Sequence, residues 1–153
     1  AVTKAKLADR SVTDNKLAAQ AVPVFAASSL SEISTTSTSW VDMTGASVTF
    51  TLNRTSHLLI LFSAEAMNTN SSERIEVEAL VGTSTASPGS VYLTPTVVQS
   101  GTHTHALEYG SYSYNFYRLS VSAGTYTVKM KWRVSDDKGY IATRSLIVIA
   151  FPA

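Results

Sequence analysis

The sharpest candidate for chemistry is a histidine pair, His103-Thr104-His105. Residues two apart on a strand point to the same face, so the two imidazoles would stand side by side. Three copies around an axis would bring together six imidazoles, enough for octahedral coordination of a transition metal. The plainer reading is solvated polar surface, because the pair sits in a Gly- and Thr-rich stretch near a turn. His103 and His105 are the metal candidates.

The second candidate is aromatic. Tyr109, Tyr112, Tyr114, Phe116 and Tyr117 crowd the stretch from Glu108 to Arg118. Aromatic rings with polar handles suit stacking on sugars, and equally suit protein interfaces. A glycan-contact surface would use Tyr109, Tyr112 and Tyr114, with Asn115 and Arg118 supplying hydrogen bonds. The competing reading is strand packing plus an interface, since Tyr112, Tyr114 and Phe116 share one strand face.

Acid–base chemistry has little to work with. Glu76 and Glu78 would lie on one strand face about 7 Å apart, a permissive spacing for paired carboxylates. Strand alternation already explains them, and nothing in the sequence buries them. Asp136-Asp137-Lys138-Gly139 reads as a turn before it reads as a cation site. There is no Gly-x-Ser-x-Gly elbow, phosphate-binding glycine loop or His-Glu-x-x-His motif. The expectation is a protein with no catalytic residues and no cofactor.

These residues need elements to hold them, and from Val24 onward the elements are strands. β-Branched and aromatic residues dominate, and turn residues punctuate them at short intervals. Val48, Phe50 and Leu52 alternate with Ser47, Thr49 and Thr51. Ile75, Val77, Ala79 and Val81 alternate with Arg74, Glu76, Glu78 and Leu80. Tyr126, Val128, Met130, Trp132 and Val134 alternate with Thr127, Lys129, Lys131 and Arg133. Each set describes a half-buried strand with one polar face. The spacing predicts strands over roughly 24–34, 38–43, 46–53, 57–67, 73–82, 90–99, 111–122, 125–135 and 140–151. The fold class is all-β: an antiparallel two-sheet sandwich, most simply a jelly roll.

Two strands break the alternation. Leu58-Leu59-Ile60-Leu61-Phe62 and Leu146-Ile147-Val148-Ile149-Ala150-Phe151 are apolar on both faces. The outer face of a lone sandwich meets water, so bulky apolar residues there mark a surface that a partner covers. Leu59, Leu61, Ile147, Ile149 and Phe151 are therefore expected at a subunit interface. A long loop of the same chain is the alternative cover.

The first 22 residues differ in kind. Ala1 to Arg10 aligns with Ser11 to Gln20, and a third copy begins at Ala21-Val22 before Pro23. Val2, Leu7, Val12, Leu17 and Val22 recur every five residues, a spacing that fits neither helix nor strand. A short extended step followed by one helical turn accommodates it, with Thr3 and Thr13 where an N-cap is needed. A repeat this poor in large apolar residues has no core of its own. It packs on copies of itself or remains a flexible tether. The stalk reading is taken here, with those five residues at an interface between copies. The chain divides into a stalk or anchor, 1–22, and a β-sandwich head, 23–153.

Composition limits the partners. Twelve basic against eleven acidic residues leave a net charge of +1, no footprint for nucleic acid or an anionic membrane. No apolar run is long enough to insert in a bilayer as a helix. The absence of Cys excludes disulfides and thiolate metal sites. The opening Ala1-Val2-Thr3-Lys4, without Met or a following apolar run, suggests a processed product or part of a longer chain.

Ser11-Val12-Thr13 with Lys16-Leu17-Ala18 resembles the stalk repeats of phage and phage-like tail fibres and virion spikes. Ala19 and Gln20 depart from the usual Asp-Gly of those repeats. The stretches Thr38 to Gly45, Ser122 to Lys129 and Arg144 to Ile149 resemble the C-terminal heads that follow such stalks. This resemblance implies a homotrimer: a three-stranded stalk carrying three jelly-roll heads, similar in shape to tumour-necrosis-factor-like trimers. It implies a structural virion component, such as a tail fibre, spike or head-decoration protein, that contacts other virion proteins through the stalk and contributes to host attachment. Some tail fibres of this kind hold iron with His-x-His. An adhesin or carbohydrate-binding module, using the Tyr-rich strand on a host-surface glycan, is the alternative function.

Overall fold

The computed structural model describes residues 22–69, 74–93 and 109–153. Ten strands follow in chain order: β1 (Val24–Ser29), β2 (Ile33–Thr35), β3 (Val41–Leu52), β4 (Ser56–Asn68), β5 (Ile75–Val81), β6 (Ser84–Thr85), β7 (Val91–Leu93), β8 (Gly110–Val121), β9 (Gly124–Val134) and β10 (Gly139–Pro152). No helix among the described residues is long and apolar enough to cross a membrane.

The strands form two antiparallel sheets. The first has the order β1-β10-β4-β8, with β2 continuing beside β10. The second runs β3-β9-β5, and its last edge is shared by β6 and β7. Apart from β1–β2 and β5–β7, each of which keeps to one sheet, successive strands alternate between the sheets, in the strand order of a jelly roll. The expected all-β sandwich is what the chain forms.

Alternation explains why the sheets stack. Leu58, Ile60 and Phe62 of β4, Leu146 and Val148 of β10 and Phe116 of β8 face inward. They meet Val77 and Ala79 of β5, Val128, Met130 and Trp132 of β9 and Phe50 of β3, and none of these is more than 5% exposed. Burying each Leu, Ile, Val or Phe stabilises the fold by roughly 1.5–3 kcal/mol over leaving it in water. Phe25 of β1 stacks on Phe50 at a centroid distance of 4.3 Å, closing the open side of the sandwich.

Several strand boundaries differ from those the spacing predicts. The expected strands 38–43 and 46–53 are one strand, β3. Thr44-Gly45, which the spacing leaves between the two, is an irregularity within β3 where the register with β9 shifts between Asp42 and Ser47. Gly45 absorbs it with a φ of 78°. The expected strand 24–34 is two pieces, β1 and β2, which pair with successive stretches of β10. Of 90–99, Val91–Leu93 is strand and the remainder lies outside the described residues.

A second irregularity sets which residues of β10 face inward. Gly139 and Ile141 are buried, then the register shifts, and Arg144, Leu146, Val148 and Ala150 are buried. One extra residue turns the inward set from odd to even, as a bulge must. Arg144, only 1% exposed, is thereby turned into the sandwich. Its Nε donates to Thr44 O at 2.6 Å, and its Nη1 donates to Ser31 O at 2.6 Å and Ala142 O at 2.9 Å. A buried charge is tolerable when so bonded, and desolvation lowers the Arg144 pKa from its ordinary value.

The sandwich has two distinct ends. Val24, the start of β1, pairs with Ile149 near the end of β10, and Ser56 at the start of β4 pairs with Pro152. The chain therefore enters and leaves at one end. The strand ends that flank residues 70–73 and 94–108, namely Asn68, Ile75, Leu93 and Gly110, all lie at the other end.

Candidate functional site

The outer faces of the two sheets differ. On the second sheet the outward residues are mostly polar, Leu80 of β5 apart, and several bond to one another. Thr49 and Thr127 share a hydrogen bond of 2.7 Å across β3 and β9, and Thr51 and Thr125 one of 2.9 Å. Lys129 pairs with Asp42 at 2.8 Å, and Arg133 with Glu76 at 2.5 Å. Arg133 also lies over the Trp40 ring, 4.7 Å from its centroid. This face is finished for water.

The outer face of the first sheet is not. Cross-strand registry builds it in rows. Val24 stands opposite Ile149, Ile149 opposite Leu59, and Leu59 opposite Tyr117. The next row is Ala26, Ile147, Leu61 and Asn115. Before them stands a partial row of Phe151 and His57. None of the side chains in the two full rows is charged. Val24 is 59% exposed, Tyr117 48% and Phe151 40%, while Leu59, Leu61, Ile147 and Ile149 are half-buried among them. The two strands singled out for being apolar on both faces, β4 and β10, are adjacent at the centre of one sheet. Their outward residues form one surface.

The same face changes character along its length. The row after Ala26 is Ser28, Ser145, Ser63 and Ser113, with a 2.8 Å hydrogen bond between Ser63 and Ser145. Beyond it a depression of about 230 Å3 is lined by Ser63, Glu65, Ser111, Thr143 and Ser145. The apolar rows thus lie at the end where the chain enters and leaves, and the hydroxyl rows lie toward the other.

His57, at the margin of the apolar rows, has a structural task. Its Nδ1 accepts the backbone N–H of Ser120 at 3.0 Å. Ser120 has a φ of 53°, so the imidazole holds a left-handed residue just before the β8–β9 turn.

The expected glycan residues do not share a surface. Tyr112 and Tyr114 point to the inner side of β8 with Phe116, and both pack against the core. The Tyr114 hydroxyl donates to Tyr92 O at 2.5 Å. Arg118 reaches across to Thr85 O at 3.0 Å, whereas Asn115 lies on the outer face. Tyr109 donates its hydroxyl to Glu32, and burial with that carboxylate raises its pKa to about 12. The aromatic stretch is mainly strand packing, with Tyr117 turned outward.

Other candidates resolve locally. Glu76 is taken up by Arg133, and Asp136-Asp137 is a turn in which Asp137 N–H bonds to Asp136 Oδ1 at 2.8 Å. His103, His105, Val2, Leu7, Val12 and Leu17 lie outside the described residues, and Val22, 41% exposed, is the first residue within them. Among the described residues no group of three or more His, Cys, Asp or Glu side chains is placed to hold a metal ion. Sequence reasoning missed Val24, Ala26 and Tyr117. A signal was present in Val24-Phe25-Ala26-Ala27, apolar on both faces like β4 and β10.

No family model and no curated protein sequence matches the chain. Solved structures do resemble it in fold. Dimeric latent PorU from Porphyromonas gingivalis superposes with a TM-score of 0.55 at 10% identity, over 84% of this chain and 12% of that one. The infectious bursal disease virus VP2 subviral particle superposes with a TM-score of 0.50 at 11% identity, over 85% of this chain and 32% of that one. This chain therefore spans an eighth to a third of the length of these proteins. At such identity the likeness is one of fold: the chain is a β-sandwich of a kind also found in a viral particle protein.

Proposed function

We propose that this protein is a structural component of a virus particle, a fibre, spike or decoration protein, in which the jelly roll is the displayed head. The reading has it act as a homotrimer, with residues 1–22 as stalk toward other virion proteins, and without catalytic activity. The observation that carries it is the difference between the two faces of the head. The described chain starts at one end, beside the apolar rows of the first sheet, while the outward face of the second sheet is mostly polar. A module anchored at one end and exposed at the other needs that arrangement. The fold likeness to a viral particle protein and the resemblance of Val12 to Ala18 to stalk repeats support the same reading.

Antibody raised against the head tests it by immunogold labelling of particles from the source of the sequence. Label at regular positions on intact virions is the expected result. Label confined to material that does not sediment with particles overturns the assignment. Host polysaccharide incubated with the protein is expected to show no new reducing ends.

A further inference from the structure

We infer that a second copy of this chain covers the apolar end of the first sheet's outer face, meeting the rows Val24–Ile149–Leu59–Tyr117 and Ala26–Ile147–Leu61–Asn115. The inference rests on the assembly part of the proposed function and says where the copies touch. Three observations select a copy of this chain as the occupant.

The first is where the rest of the chain begins. Pro23 O accepts the N–H of Ala150 at 3.0 Å, so the described chain starts beside Ile149 and Phe151, at the apolar end of the face. Joining heads through these rows brings the amino-terminal segments of neighbouring copies together. Those segments carry Val2, Leu7, Val12 and Leu17 in a repeat that needs copies of itself to bury them.

The second is charge. With no charged side chain in either full row, one copy can face another without like-charge repulsion. On the second sheet Lys129, Lys131 and Arg133 stand in one outward column of β9 beside Asp42, Glu76 and Glu78, so covering that face would take charged groups out of water.

The third is area. Four strands spaced by about 4.8 Å and two rows about 7 Å apart give a flat footprint of roughly 270 Å2. A stable interface buries about 800 Å2 on each partner. At about a third of that, the sheet contact is one part of a larger interface between copies.

The test is the mass of the full chain in solution by light scattering. The wild-type chain is expected as a discrete oligomer. Leu61→Glu and Ile147→Glu, both at outward positions, are expected to weaken association at least about tenfold, with the far-UV circular dichroism unchanged. Thr127→Glu on the other sheet is expected to retain the oligomer. A wild-type monomer overturns both this inference and the assembly part of the proposed function. An oligomer that Leu61→Glu and Ile147→Glu leave intact overturns this inference alone.

A labelling measurement decides the matter if the charged variants misfold. The chain has no Cys, so maleimide reads a single introduced thiol. Val24→Cys is expected to react slowly in the oligomer and quickly on dilution, while Thr125→Cys reacts quickly throughout. Equal rates in the oligomer overturn the inference. Slow reaction of Val24→Cys in a monomer also overturns it, and assigns the face to residues 1–21 of the same chain.

Discussion

A Cβ built on Gly45 would stand 2.9 Å from Nη2 of Arg144 and 2.7 Å from Cβ of Ser29. The irregularities of β3 and β10 therefore meet at one point, where a residue without a side chain admits a buried guanidinium. Gly45→Ala forces a left-handed backbone on an L residue and pushes on Arg144. We expect it to destabilise the fold by about 2–4 kcal/mol, measured as a fall in the denaturant midpoint. Gly89, with a φ of 103° and nothing within 4 Å of a built Cβ, is the control. Gly89→Ala should show only the backbone part, about 1–2 kcal/mol.

Tyr109 makes stability sensitive to alkali. Its pKa rises from 10.0 to about 12 through burial and the neighbouring Glu32. A neutral phenol that ionises later in the folded state favours folding below pH 10, where both states are protonated. The unfolded chain gains by ionising first, so this contribution is lost as pH rises from 10 toward 12. Tyrosinate absorbance should show one late-titrating group, absent in Tyr109→Phe. An unchanged titration in that variant would refute the assignment.

His57→Ala should loosen one turn without unfolding the head. The Ser120 N–H loses its acceptor while Ser120 remains in a left-handed conformation. About 1 kcal/mol of stability should go, with faster amide exchange concentrated at Ser120 and its neighbours. Exchange that rises evenly across β4 and β8 would mean the imidazole acts through packing instead.

Deleting residues 1–21 should leave the sandwich folded, because the strands and core among the described residues lie from Val24 onward. The far-UV spectrum should keep its β signature, while the oligomer dissociates at a higher concentration than the full chain. A truncated head that cannot fold would show that the segment contributes to the core.

Most of the sandwich was legible because alternation is recorded residue by residue. Ile75, Val77 and Ala79 read as inward and are inward; Glu76 and Glu78 read as outward and are outward. Gly45 misled the reading because its type signals φ freedom, which a turn and a mid-strand bulge both need. The tyrosines left two readings open for another reason. Periodicity places Tyr112, Tyr114 and Phe116 on one face but does not say which face meets the core. That answer came from Phe116, fully buried between the two sheets.

The sequence by itself determined that β4 and β10 carry apolar residues on both faces, since Leu59, Leu61, Ile147 and Ile149 occupy positions that alternation assigns outward. Only the tertiary structure decided that Ile149 stands against Leu59 and Ile147 against Leu61, with Val24 and Tyr117 completing the row. These partners are separated by scores of residues, and their pairing depends on the β10 bulge, which resets the strand's inward parity after Ile141. A strand's pattern says which side is greasy; its neighbours and their register decide whether the greasy sides add up to a surface.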